Sequence, residues 1–161
     1  MAKFKTSKDF KEFSNQVKEK LKELYSAKNM KQLGKEISNI IRVRTQLGYG
    51  VAVPEGDRFK LKELTDKYKE LRKQLDLDAN TTPSRSNLTR TGQLLQSIDV
   101  ITVSEGQVTV GPKGSRSEGG TNEQVGKYVA EQGRPFNNLS RAEVKQVVQL
   151  LQKRLSDLVE E

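Results

Sequence analysis

Apolar residues recur at three- and four-residue steps along most of this chain, and they alternate in one stretch, residues 98–110. That contrast limits the fold more than any other feature. A period near 3.6 puts side chains on one helix face, and a period of two puts them on one face of a strand. Phe10, Phe13, Val17, Leu21 and Leu24 predict a helix over 7–25 with Ser7 as N-cap. Leu33, Ile37, Ile40, Ile41 and Leu47 predict a second over 28–47, weakened at Gly34 by roughly 1 kcal/mol relative to alanine. Gly48-Tyr49-Gly50 frees the backbone to turn, and Val51 to Lys60, with Pro54, Gly56 and Asp57, reads as an exposed loop. Leu64, Tyr68, Leu71 and Leu75 predict a third helix over about 61–75.

Ile98, Val100 and Thr102, then Val108 and Val110, read as two strands joined at Glu105-Gly106. Thr91 to Ser97 reads as one or two helical turns leading into them. Two strands alone are marginal in water, so the 98–111 hairpin must pack on a helix or join a sheet completed by other subunits. Gly111 to Gly120 reads as a flexible loop. Thr121 with Gln124, and Ser140 with Glu143, have capping-box spacing and start helices over 122–132 and 141–159. The first has Val125, Tyr128 and Val129 facing inward and stops at Gly133. The second carries Val144, Val147, Val148, Leu151, Leu155 and Leu158. The expected fold is α+β and a single domain over 1–161. It has a basic helical part over 1–76, an extended arm over 77–90, and the hairpin with its C-terminal helices over 91–161.

Apolar residues make up 33% of the chain and charged residues 31%, so the core is thin and neighbouring subunits would help to stabilise it. There is no histidine and no cysteine. That removes the commonest base near neutral pH, the commonest transition-metal ligand and all thiolate chemistry. The 111–120 loop has glycines, a lysine and serines but not the Gly-Lys-Ser/Thr ending of a phosphate-binding loop. Gly48-Tyr49-Gly50 lacks the third glycine of a dinucleotide fingerprint and follows a helix. The serines have no histidine to activate them, and no spacing favours a Ser–Lys pair. The reading is a protein that binds and assembles, not an enzyme, with no metal and no cofactor. No apolar run is long enough to cross a membrane, and MAKFKTSKDF has no apolar segment of a secretion signal.

Residues 1–76 carry 19 Lys and Arg against 11 Asp and Glu, whereas residues 77–161 carry 10 of each. The whole net charge of +8 therefore sits in the first part. Such an excess suits nucleic acid, or lysine-rich helix faces paired with glutamates and open to water. Arg42 and Arg44 read as cations favoured by a helix C-terminus. Arg85 and Arg90, on the arm, read as contacts for an acidic partner.

Two stretches carry a family resemblance. One is Ile41-Arg42-Val43-Arg44-Thr45-Gln46-Leu47-Gly48-Tyr49-Gly50-Val51, followed by Leu61-Lys62-Glu63-Leu64 and Tyr68. The other runs from Ser86-Asn87-Leu88-Thr89-Arg90-Thr91-Gly92-Gln93-Leu94-Leu95-Gln96-Ser97-Ile98 into a hairpin ending Val108-Thr109-Val110-Gly111. It continues to Tyr128-Val129-Ala130-Glu131-Gln132-Gly133-Arg134-Pro135-Phe136. Together they resemble the neck and tail-completion proteins of tailed bacteriophages, also called virion morphogenesis proteins. Val129 stands where that family often has alanine.

The resemblance implies a structural virion protein at the head–tail junction, assembled in the host cytoplasm. It would form a six- or twelve-fold ring that joins portal or adaptor proteins to tail proteins and lets DNA pass without reading its sequence. A heterologous interface that closes gives such a ring. The expected intersubunit contacts are Tyr49, Arg58, Arg85, Arg90, Lys113, Arg116, Arg134 and Phe136, on the 48–60 loop, the 77–90 arm, the 112–120 loop and the Arg-Pro-Phe crossing. Phe136 is also expected to be buried and to anchor the last helix. The 112–120 loop is expected to order on assembly. The alternative is a basic nucleic-acid-binding protein without catalytic activity, which would lose affinity steeply with salt.

Overall fold

The computed structural model describes residues 7–74, 88, 92–117 and 119–160. The elements in chain order are α1 (Ser7–Leu24), α2 (Ala27–Gln46), β1 (Tyr49–Val51), β2 (Arg58–Lys60), α3 (Asp66–Gln74), α4 (Gln93–Gln96), β3 (Ile98–Ser104), β4 (Gln107–Pro112), α5 (Asn122–Glu131) and α6 (Arg141–Glu160). The fold is α+β, with two separate two-stranded antiparallel sheets, β1–β2 and β3–β4.

Helix α2 is the axis of the molecule. Ser26 caps its start by accepting from the Asn29 backbone N–H at 3.4 Å. One face, with Met30, Leu33, Gly34 and Ile41, is buried. Gly34 has a reason that its helix propensity hides. A Cβ there would stand 2.6 Å from a methyl of Val100 and 2.6 Å from one of Val108, so the helix lies directly on the β3–β4 hairpin. Valine side chains are stiff and cannot turn away cheaply. Gly34→Ala should therefore destabilise by about 1–2 kcal/mol, overpacking outweighing the gain in helix propensity. A thermal melt checks this, and a raised Tm would show that the two elements are not so close.

The hairpin turns at Glu105-Gly106 as the alternation predicts, but its register differs from that pattern. The pairing shifts between Val100 and Thr102, so Ile101 is extra and Val103 pairs with Val108. Because each residue shifted exchanges the two faces, the bulge puts Val103 on the side of Val100, Val108 and Val110. Thr102, expected inside, is exposed with Thr109 opposite it. The core beside this sheet comprises Ile41, Leu94, Leu95, Ile98 and Phe136, with Leu88, Val110, Val125, Val129 and Leu139 packed around it.

Residues 51–60 correct the expectation of an open loop. Val51 is fully buried, and β1 pairs with β2 from Tyr49–Lys60 to Val51–Arg58. The ribbon is tied to the crossing before α6. Val51 N–H donates to Pro135 O at 3.2 Å, Glu55 N–H to Leu139 O at 2.9 Å, and the Asn138 amide to Ala52 O at 3.0 Å. Gly50 is required by close approach, since a Cβ would meet Pro135 O at 2.3 Å. Strands of three residues are too short to show a period, and the groups that tie the ribbon down, Pro135, Asn138 and Leu139, stand far along the chain.

The start of α3 also moves. Leu61, expected in the helix, is buried ahead of it, and the helix begins at Asp66, with Tyr68 N–H donating to Thr65 Oγ1 at 3.4 Å. Helix α6 runs back along α1. Arg154 binds Glu36 of α2 at 2.6 Å and reaches Asn29 O at 3.4 Å, and Lys20 donates to Leu158 O. Both predicted capping boxes form: Thr121 with Gln124, and Ser140 with Glu143. Leu47 and Tyr128, placed on inward faces by their spacing, are exposed instead.

Candidate functional site

The most elaborate polar arrangement joins α2, β2 and the start of α6. Glu143 sits at the third position of α6, where its carboxylate Oε2 accepts from the Ser140 backbone N–H at 2.7 Å. The same oxygen accepts from Arg44 Nη1 at 2.8 Å, and Oε1 accepts from Arg58 Nη2 at 3.0 Å. The Glu143 side chain is 0% exposed, that of Arg44 2% and that of Arg58 47%. Arg44 also donates to Asn138 O at 2.7 Å and to Phe136 O. One guanidinium thus gathers the whole 136–143 crossing. Burial lowers the Arg44 pKa from its ordinary value, the charge and hydrogen bond of Glu143 oppose that shift, and Arg58 adds slightly to it. Arginine stays protonated in proteins regardless, so the pair is ionic.

This arrangement does structural work. Both oxygens of Glu143 are occupied by cations and a backbone N–H, so no proton acceptor is presented to a substrate. Arg44 does stand in the last turn of α2, as its reading as a cation at a helix end expects, and the fold adds that it is buried and paired with Glu143. Among the described residues, no group of three or more carboxylates is placed to hold a metal, and no helix is long and apolar enough to cross a membrane.

The sequence-predicted contact residues fall into two regions. Tyr49 and Arg58 lie on the β1–β2 ribbon and are exposed. Arg134 joins them from the crossing, donating to Lys62 O at 3.3 Å and Glu63 O at 3.4 Å just beyond β2. Lys113 and Arg116 form the other region, after β4. Lys113 binds Asp99 at 2.8 Å and Val100 O at 3.0 Å. The hydrogen bond from Lys113, with a backbone one from Val100, holds the Asp99 carboxyl below its ordinary pKa.

Arg116 donates to Asn122 Oδ1 at 3.0 Å, while the Asn122 amide donates back to Lys113 O at 2.9 Å. Ser115 bridges to Thr121 across this turn. The described part of the segment read as a flexible loop is therefore closed onto the start of α5. Phe136 is 2% exposed and belongs to the core, so its expected burial is met, whereas its ring offers no surface to a partner. Arg85, Arg90 and all of the 77–90 arm except Leu88 lie outside the described residues.

Parts of the segments that carry the family resemblance share one core cluster. Leu94, Leu95 and Ile98 belong to the same core cluster as Ile41 and Phe136. Gly126, where a Cβ would be 3.1 Å from Pro112 and 3.6 Å from the Phe136 ring, lets α5 settle between them. Compared with known proteins, the chain matches no family model, no curated protein and no solved structure.

Proposed function

We propose that this chain is a structural virion protein of a tailed phage. In this reading it forms a ring at the head–tail junction, joins the portal side of the capsid to the tail, lets DNA pass, and catalyses nothing. The observation that supports the reading is the meeting of four separate sequence segments in one core: the Gly92–Ile98 lead-in, the Val-Gly end of the hairpin, the α5 helix and Arg134-Pro135-Phe136. Motifs that pack on one another are parts of one design, and their order is the order of the neck and tail-completion proteins.

A thin core agrees with this, and so do the large apolar side chains left at the surface. Val43, Leu47, Tyr49 and Val53, near the α2 end and the β1–β2 ribbon, are all exposed. Tyr49 and Arg58 would then serve as contacts between neighbours, with Arg134 holding the segment that follows β2. The other reading, a basic nucleic-acid-binding protein, draws on one face of α2 whose cations have no carboxylate among them.

The test is disruption of the gene in its phage. Electron microscopy should find filled heads and separate tails, with joining restored by the wild-type gene supplied in trans. Joined particles in undiminished number would refute the reading.

A further inference from the structure

Helix α2 has two faces of opposite character. Lys28, Lys31, Lys35, Asn39, Arg42 and Gln46 follow one another at steps of three or four residues, so they share one side of the helix. Arg42 is partly exposed and the others are exposed, while Met30, Leu33, Gly34 and Ile41 face the core. The four cations span about 21 Å at 1.5 Å rise per residue.

The only carboxylate of α2, Glu36, is off this stripe and is taken by Arg154 at 2.6 Å. Asp99, whose charge Lys35 also feels, is held by Lys113 at 2.8 Å. Among the described residues none of the four cations is in an ion pair. By contrast, the lysines of α3 alternate with acids, Lys69 with Asp66 at 3.3 Å and Lys73 with Glu70 at 2.7 Å.

We propose that this face of α2 docks the phosphate backbone of double-stranded DNA without reading its sequence. Every member of the stripe is a hydrogen-bond donor and none is apolar. A docked protein segment would need an apolar or aromatic centre to hold it. A phosphate backbone needs only donors and positive charge. A single stripe of four cations is weak at moderate salt and measurable at low salt. The proposal stands on α2 alone and does not depend on the head–tail reading.

The test measures binding of the full chain to a fluorescent 30-base-pair duplex by anisotropy across a salt series. Four phosphate contacts give a slope of log affinity against log salt of about −3.6. The triple variant K28Q/K31Q/K35Q should reduce that slope by about 2.7 and weaken binding at least tenfold at low salt. The triple K67Q/K69Q/K73Q on α3 changes the net charge equally and should leave the slope close to that of the wild type. Equal effects of the two triples would overturn the proposal, because net charge alone would then account for binding. So would absence of duplex binding at low salt, or displacement of the duplex by polyglutamate as readily as by unlabelled DNA. None of these outcomes bears on whether heads and tails join, which the gene disruption measures separately.

Discussion

Glu143→Gln is expected to lower the unfolding free energy by about 3–5 kcal/mol, because it leaves the Arg44 guanidinium charged, buried and without a counter-ion. The substitution keeps the volume of the side chain, so packing contributes little to the loss. Glu143 is fully buried and accepts from Arg44 at 2.8 Å and Arg58 at 3.0 Å. Arg58 is half-exposed and can turn to water, but Arg44 cannot. For a domain whose total stability is about 5–15 kcal/mol, the loss is a large fraction. In a thermal melt it corresponds to roughly 10 °C for a chain of this size.

The double variant Arg44→Met with Glu143→Leu should recover part of the loss, since it removes both charges together. Recovery stays incomplete because Phe136 O, Asn138 O and the Ser140 N–H lose the partners that the two side chains supply. A single Glu143→Gln variant within 2–3 °C of the wild type would mean that the ion pair is not desolvated as described.

Phe136→Ala is the second large effect, with an expected loss of about 3–5 kcal/mol from removing a buried ring and leaving a cavity. The ring is 2% exposed and lies with Ile41, Leu94, Leu95 and Ile98. It also meets α5 at Gly126, so neighbouring side chains from three elements would have to close the gap. Phe136→Leu should cost less, because it refills most of the space. The melt separates two roles that the same motif suggests. A residue that only contacts a neighbour would leave the monomer's Tm unchanged on truncation and weaken assembly alone. A drop of the monomer Tm places Phe136 in the fold.

Local signals were readable wherever one short segment carried the whole cause. Ser140 and Glu143, three positions apart, predicted a helix start because the box closes within a single turn. Glu105-Gly106 predicted the hairpin because φ of +70° at Gly106 suits glycine. The buried Phe136 was legible from its motif. What was not legible had its cause elsewhere in the chain. The bulge at Ile101 depends on which face α2 covers, and no alternation count contains that. Gly34 looked like a flaw until the hairpin valines stood against it. The β1–β2 ribbon draws its bonds from residues 135–141.

Glu143 shows the division most clearly. Residue order alone placed it in a capping box, made the chain α+β, concentrated the positive charge in the first 76 residues and withheld histidine and cysteine. Those are properties of composition and of neighbours within a turn. Only the folded chain made the same carboxylate the counter-ion of Arg44, 99 residues away, and of Arg58, 85 residues away. The reason is physical: burial decides what a charge needs, and burial comes from packing between distant segments. The same packing turned one face of α2 into core and left the opposite face, with its four cations, to the solvent.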